Sequence, residues 1–167
     1  MKKSLIVFVI LFMLSGCGFI KHDINNLEPT EVPSESNKIT FEGHDLTLVN
    51  EGGFYSLKYM YPKFAYTTSI GTISTIFYED HEKQEYLFRI GITKFDGKRP
   101  EDVKMSDNME NLGVENINGN SWNKYLLDGK YHAYVCYYDG DSYSIIIYTE
   151  YDLSEFESEF MKSISFK

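Results

Sequence analysis

No apolar run in these 167 residues reaches the roughly twenty that carry a helix across hydrocarbon; Leu5 to Leu14 stops at ten and is followed by Ser15 and Gly16. An uncleaved membrane helix is therefore not expected. Cysteine is nearly absent, with only Cys17 and Cys136, so a disulfide-stapled scaffold is excluded. Basic residues are also few, 16 against 25 acids, for a net charge of −9. The one basic cluster, Lys94, Lys98, Arg99 and Lys104, is interrupted by acids. Nucleic-acid binding depends on Lys and Arg displacing counterions and is not expected here. There is no Gly-rich phosphate loop and no zinc-ligand spacing, and Asp139, Gly140 and Asp141 lack the further ligands of a calcium loop. No cofactor is expected.

What is present begins at the amino terminus. Met1, Lys2 and Lys3 precede the apolar run, and Leu14-Ser15-Gly16-Cys17 follows it. The Lys pair holds the terminus in the cytoplasm, the run inserts as a signal-peptide core, and the small Ser15 and Gly16 admit a peptidase. The tetrad resembles a lipobox, which implies that Cys17 receives a diacylglyceryl group and becomes the first mature residue. Residues 1–16 then form the signal peptide, and the protein is expected on the extracytoplasmic face of a cell membrane, of the Gram-positive type, held by its lipid anchor. Loss of residues 1–16 removes two Lys and no acid, leaving 14 basic and 25 acidic side chains, a formal charge of −11.

Residues 17–38 read as the lipidated Cys and a flexible tether, with Asn25, Asn26, Pro29, Pro33, Ser34 and Ser36 and no periodicity. A coil of that length reaches about 25 Å, enough to clear the headgroups. Residues 39–167 make one domain's worth of chain.

Within it, β-branched and aromatic blocks alternate with turn residues. Ile39–Phe41 and Leu46–Val49 lead in, and Phe54–Met60 is predicted as a strand ending near Pro62. Ile70–Tyr78 and Tyr86–Phe95 are predicted as a hairpin around Glu79–Glu85, with Tyr86, Phe88, Ile90 and Ile92 on one face and Arg89 and Thr93 on the other. Ser121–Leu127, Tyr131–Tyr138 and Tyr143–Thr149, joined at Asp128-Gly129 and at Asp139 to Asp141, are predicted as an antiparallel meander. Leu153, Phe156, Phe160, Met161 and Ile164 recur at helical spacing over 152–164, with Asp152 as N-cap and Glu155 three residues on. A second helix is expected over 100–112, where Pro100 can start it, Gly113 can stop it, and Val103, Met105, Met109 and Leu112 form a looser stripe; Ser106 can cap a shorter version.

In this order the elements of residues 53–167 resemble a PsbP-like domain, a fold shared with a Ran-binding nuclear-import factor and many bacterial lipoproteins. The resemblance rests on Gly53-Phe54-Tyr55-Ser56-Leu57-Lys58-Tyr59 followed by Pro62, on Ile117-Asn118-Gly119 entering a strand, and on the close from Phe156 to Phe166. The aromatic that usually follows the strand's Pro is matched only by Phe64 or Tyr66. The resemblance implies an α+β fold, an antiparallel β-sheet with helices packed on both faces as an α/β/α sandwich, and it implies no activity.

Candidate chemistry is sparse. Cys136 lies within the apolar stretch 131–138 and reads as a buried hydrophobe, since His132 is about 13 Å away along a strand. Glu79, Asp80, His81, Glu82 and Glu85 offer metal-ligand types but read as a solvated turn, and Glu42 with Asp45 as a chance acidic pair. His44 and His132 have no partner on a shared motif. Trp122 and the many Tyr residues, Tyr134 foremost because a phenol keeps its hydroxyl wet, suggest a possible groove stacking sugars, peptides or flat ligands; core packing explains the same residues. The reading is a non-enzymatic binding or assembly module with an unknown protein or small-molecule ligand. The alternative is an extracytoplasmic hydrolase acting on envelope material.

Overall fold

Asn118-Gly119 and Asp139-Gly140 set two of the tightest turns. Both residues of each pair have positive φ, 51° and 78° in the first and 48° and 89° in the second, which matches the right-handed twist of paired strands. Around such turns the computed structural model, which describes residues 38–80 and 85–167, forms twelve strands and one α-helix among those residues. The described residues all belong to one compact unit. The signal segment, Cys17, the tether up to residue 37, His81 and Glu82 lie outside the described residues.

The main sheet is antiparallel and seven-stranded. Its spatial order is β5 (Tyr66–Ile70), β6 (Ile73–Asp80), β7 (Glu85–Phe95), β11 (Asp141–Tyr148), β10 (Tyr131–Tyr138), β9 (Asn120–Leu127) and β8 (Met109–Ile117). A three-stranded sheet of β12 (Ser165–Phe166), β4 (Leu57–Pro62) and β3 (Leu48–Phe54) lies over its inner face beside helix α1 (Ser154–Ser163). A short hairpin of β1 (Thr40–Phe41) and β2 (His44–Asp45) completes the layer.

Ring contacts show how these layers meet. Phe156 of α1 stacks on Phe88 of β7 at 4.6 Å, Phe160 stands 6.3 Å from Tyr59 of β4, and Phe166 of β12 packs on Trp122, Tyr138 and Tyr143 at 5.9, 4.3 and 5.2 Å. The β8–β9 turn ties in the end of the helix, with Asn118 Nδ2 donating to the carbonyls of Lys162 and Ile164 at 2.6 and 2.7 Å. These bonds satisfy carbonyls that a helix end leaves open. At the other end Asp152 accepts from the Ser154 N–H at 3.2 Å, and hydrogen bonding from the Ser154 side chain first, then from this N–H, holds its carboxyl below the usual range.

The expected α+β sandwich, with helices on both sheet faces, is overturned. Among the described residues the fold is mostly antiparallel sheet, 60% strand and 10% helix. Within 100–112 only Pro100–Asp102 turns, as a single 3-10 turn, and Met109 already begins β8. The cause is local competition for hydrogen bonds. Ser106 Oγ accepts from the Asn108 N–H at 3.2 Å and donates to Asp128 at 2.7 Å, which offers the backbone a turn in place of a helix.

The segment 96–108 instead crosses the outer face of the main sheet on its way from β7 to β8. Val103 is buried there, and Ser142 Oγ donates to the Lys98 carbonyl at 2.7 Å. Ala133 and Val135 of β10 are buried on that face, outside the main core cluster. Because the inner face is covered by α1 and the small sheet, β10 has both faces apolar at Ala133–Cys136. Toward β5 no described segment covers the outer face.

Candidate functional site

The bare part of the outer face is aromatic. Register places Tyr66 opposite Phe77, Phe77 opposite Arg89, and Arg89 opposite Tyr148, so side chains from four adjacent strands share one face. Tyr86 joins them through an irregularity. Strict alternation predicts Tyr86 on the face of Phe88 and Ile90, but a register shift between Tyr78 and Glu79 intervenes, Leu87 and Phe88 are both buried, and Tyr86 is left 54% exposed with its ring 5.6 Å from Phe77.

The resulting strip runs across the sheet. Tyr66 stacks on Phe77 at 5.2 Å, the Arg89 guanidinium lies over the Tyr148 ring at 4.2 Å, and Tyr131 stands 5.1 Å from Tyr148. Phe77, Tyr86, Arg89, Tyr131, Tyr148, Thr149 and Glu150 line a depression of about 280 Å³. At its rim Lys130 pairs with Glu150 at 2.5 Å, a contact that raises the ammonium's pKa and leaves the pair neutral overall. Arg89 is different. It is exposed, and among the described residues no carboxylate lies within ion-pair distance of it. Its planar face is held by Tyr148 while its N–H edge remains available.

The residues singled out from sequence lie elsewhere. Trp122 is 1% exposed and Tyr134 2%, both on the inner face, so neither lines an open groove. That corrects the groove reading at these positions. The physical reason is that α1 and the small sheet cover the inner face on which both side chains point. Cys136 is on the same face, and burial pushes its thiol up to about 11, far from a reactive thiolate.

His132 belongs to a polar cluster that sequence reasoning missed. Glu157 of α1 is buried, accepts from the Tyr134 hydroxyl at 2.5 Å, and faces His132 Nδ1 at 2.8 Å and Lys124 Nζ at 3.5 Å. Burial first, and then the Glu157 carboxylate, push the Tyr134 phenol far upward, so it stays protonated and donates. The cluster clamps α1 to β9 and β10. Its signal was present in the helix stripe, where Glu157 sits four residues after Leu153 and three before Phe160, an acid on an apolar face. His44 lies 3.3 Å from Asp80, again on the inner side beside Tyr78. Among the described residues no three His, Cys, Asp or Glu side chains gather as a metal site.

Comparison with known proteins adds one finding. Residues 1–17 match the family model of the prokaryotic membrane lipoprotein lipid attachment site, a match that ends on Cys17. The chain thus carries the address of a bacterial lipoprotein anchored to its membrane through lipid. No curated protein matches the chain at a significant level.

Proposed function

We propose that this lipoprotein is acylated on Cys17, stands on the extracytoplasmic face of the cell membrane, and is a non-enzymatic binding module whose outer sheet face takes an envelope ligand with an acid group beside a flat ring. The observation that carries this reading is Arg89, unpaired among the described residues and stacked on Tyr148 in an aromatic depression. The mature chain has a formal charge of −11, so most of its surface repels anions. Arg89 is a place where an anion gains a planar, multi-donor partner next to rings that stack on a sugar or arene. A volume of about 280 Å³ lies at the small end of ligand pockets and suits one ring with its acid substituent. The hydrolase alternative has less support. The His44–Asp80 and His132–Glu157 pairs both lie on the inner side of the sheet, away from this depression.

N-acetylmuramic acid, a sugar ring bearing a carboxylate, is a suitable probe, with N-acetylglucosamine as the same ring without the acid. In an NMR titration of the detergent-solubilised lipoprotein, the acid sugar is expected to shift resonances of Tyr86, Arg89 and Tyr148, and the neutral sugar to bind more weakly. A hydrogen bond to a charged group contributes about 1.5–3 kcal/mol, so Arg89→Ala should weaken the acid sugar about ten- to hundredfold. Equal binding by Arg89→Ala, or shifts confined to the inner layer, would remove this reading.

A further inference from the structure

The main sheet ends in two edges that are built differently. At one, β8 carries Glu110 and Glu115 and a register irregularity between Asn111 and Gly113, with Gly113 at a φ of 111°. Charge and a bulge are the usual guards against a second strand adding to a sheet. At the other edge, β5 reads Tyr66-Thr67-Thr68-Ser69-Ile70, is exposed at every residue, pairs with β6 residue for residue without a shift, and has no charge and no Pro. It is an unguarded, β-prone edge.

Its surroundings are equally unusual for this chain. From Phe64 to Tyr78 there are fifteen residues without a charged side chain, in a protein of strongly acidic balance. Ile70 and Ile73, at the tip of the β5–β6 hairpin, are 83% and 51% exposed. An acidic surface sets two copies against each other nearly everywhere, and this hairpin is where that repulsion is absent.

We infer that β5 is a self-association edge, on which a second copy of this chain adds its own β5 in antiparallel fashion. The strand suits this symmetry. With the two-fold axis at Thr68, Tyr66 of one copy faces Ile70 of the other, Thr67 faces Ser69, and Thr68 faces its own equivalent. An aromatic beside a β-branched residue is a favourable cross-strand pair, and no like charges oppose one another. Alternate residues of an edge strand direct N–H and C=O outward; since Ile70 and Ile73 close the two-residue turn on β6, Thr67 and Ser69 are the ones that do so. They are the residues this register pairs.

Five residues of edge bury little area, so the contact is weak between free molecules. Anchoring both copies in one membrane raises their effective concentration and favours the pair. The joined sheets would place the two Tyr66–Phe77 stacks on one continuous outer face, four residues apart along the seam, about 13 Å. The pairing does not depend on what binds at Arg89.

The test uses full-length lipoprotein in its native membranes. Thr68→Cys places thiols at the two-fold axis, where Cα atoms of a facing antiparallel pair are about 4.5–5.5 Å apart, within disulfide range. Copper-phenanthroline oxidation should convert most of this variant to a homodimer on a non-reducing gel. Asn116→Cys, on the guarded β8 edge, should remain monomeric. Adding Thr67→Lys to the Thr68→Cys chain should lower the dimer yield several-fold with near-UV circular dichroism unchanged. Crosslinking at Thr68 no faster than at Asn116, or yield unaffected by Thr67→Lys, would overturn the inference. A crosslink from Thr68 to a different polypeptide would overturn it too, since the edge would then serve a foreign strand.

Discussion

Cys17→Ala should abolish acyl labelling completely and leave the chain at precursor size. Only a thiol at that position can form the thioether on which lipoprotein-type processing depends, and the family match ends on this residue. Cys136 offers no substitute, because it is buried and its thiol is held at about 11. The effect on location follows from the energetics of the anchor. Each acyl methylene moved from water into lipid contributes about 0.8 kcal/mol, so two chains hold a domain that one holds only marginally. Incorporation of radiolabelled palmitate, read together with precursor mobility, tests this. Labelling unchanged in the variant would show that the acyl acceptor is a different residue.

Phe160→Ala should lower the stability of the folded domain by about 3–5 kcal/mol, the range for removing a fully buried aromatic ring. Phe160 has no exposed surface, and its ring stands 6.3 Å from Tyr59 and 6.2 Å from Phe156, which itself stacks on Phe88. It therefore fills the junction of the helix, the small sheet and the main sheet. Neighbouring bonds hold this backbone in place, since Ser163 Oγ donates to the Phe160 carbonyl at 2.7 Å and accepts from the Met60 N–H at 3.1 Å. The surroundings have little freedom to collapse into the space. Urea unfolding followed by near-UV circular dichroism measures the loss. A change below about 1 kcal/mol would mean that the helix and the two sheets do not meet at this ring.

Elements that bury one face and end in strong turn residues were legible in the sequence. The β9–β10–β11 meander follows its Asp-Gly punctuation, and the closing helix follows the stripe from Leu153 to Ile164. The two edge strands were not. β5 is exposed throughout and β8 nearly so, and without a buried face there is no alternation for periodicity to find. The turn at Tyr55-Ser56 was hidden for a different reason. It holds no Gly, and Tyr55 itself adopts a φ of 54°, so a single strand was read through what is a hairpin between β3 and β4.

The aromatic strip was illegible because its members come from five strands, between positions 66 and 148, and a register shift beside Tyr78 and Glu79 accompanies the placement of Tyr86. Trp122 drew attention instead as the single Trp, and Tyr134 because both faces of its strand β10 are apolar. Which face is covered depends on α1 and the small sheet, and local patterning carries no information about that.

The claim that the outer face binds is tested most directly in intact cells, with a photo-crosslinking benzoylphenylalanine at position 86 and, as a control, at position 110 on the far edge of the sheet. Irradiation is expected to give an adduct with envelope material from position 86, much less from position 110, and a large reduction when Arg89→Ala is added. Adducts of equal yield from both positions, or an adduct at position 86 that is indifferent to Arg89, would contradict a binding role for this face.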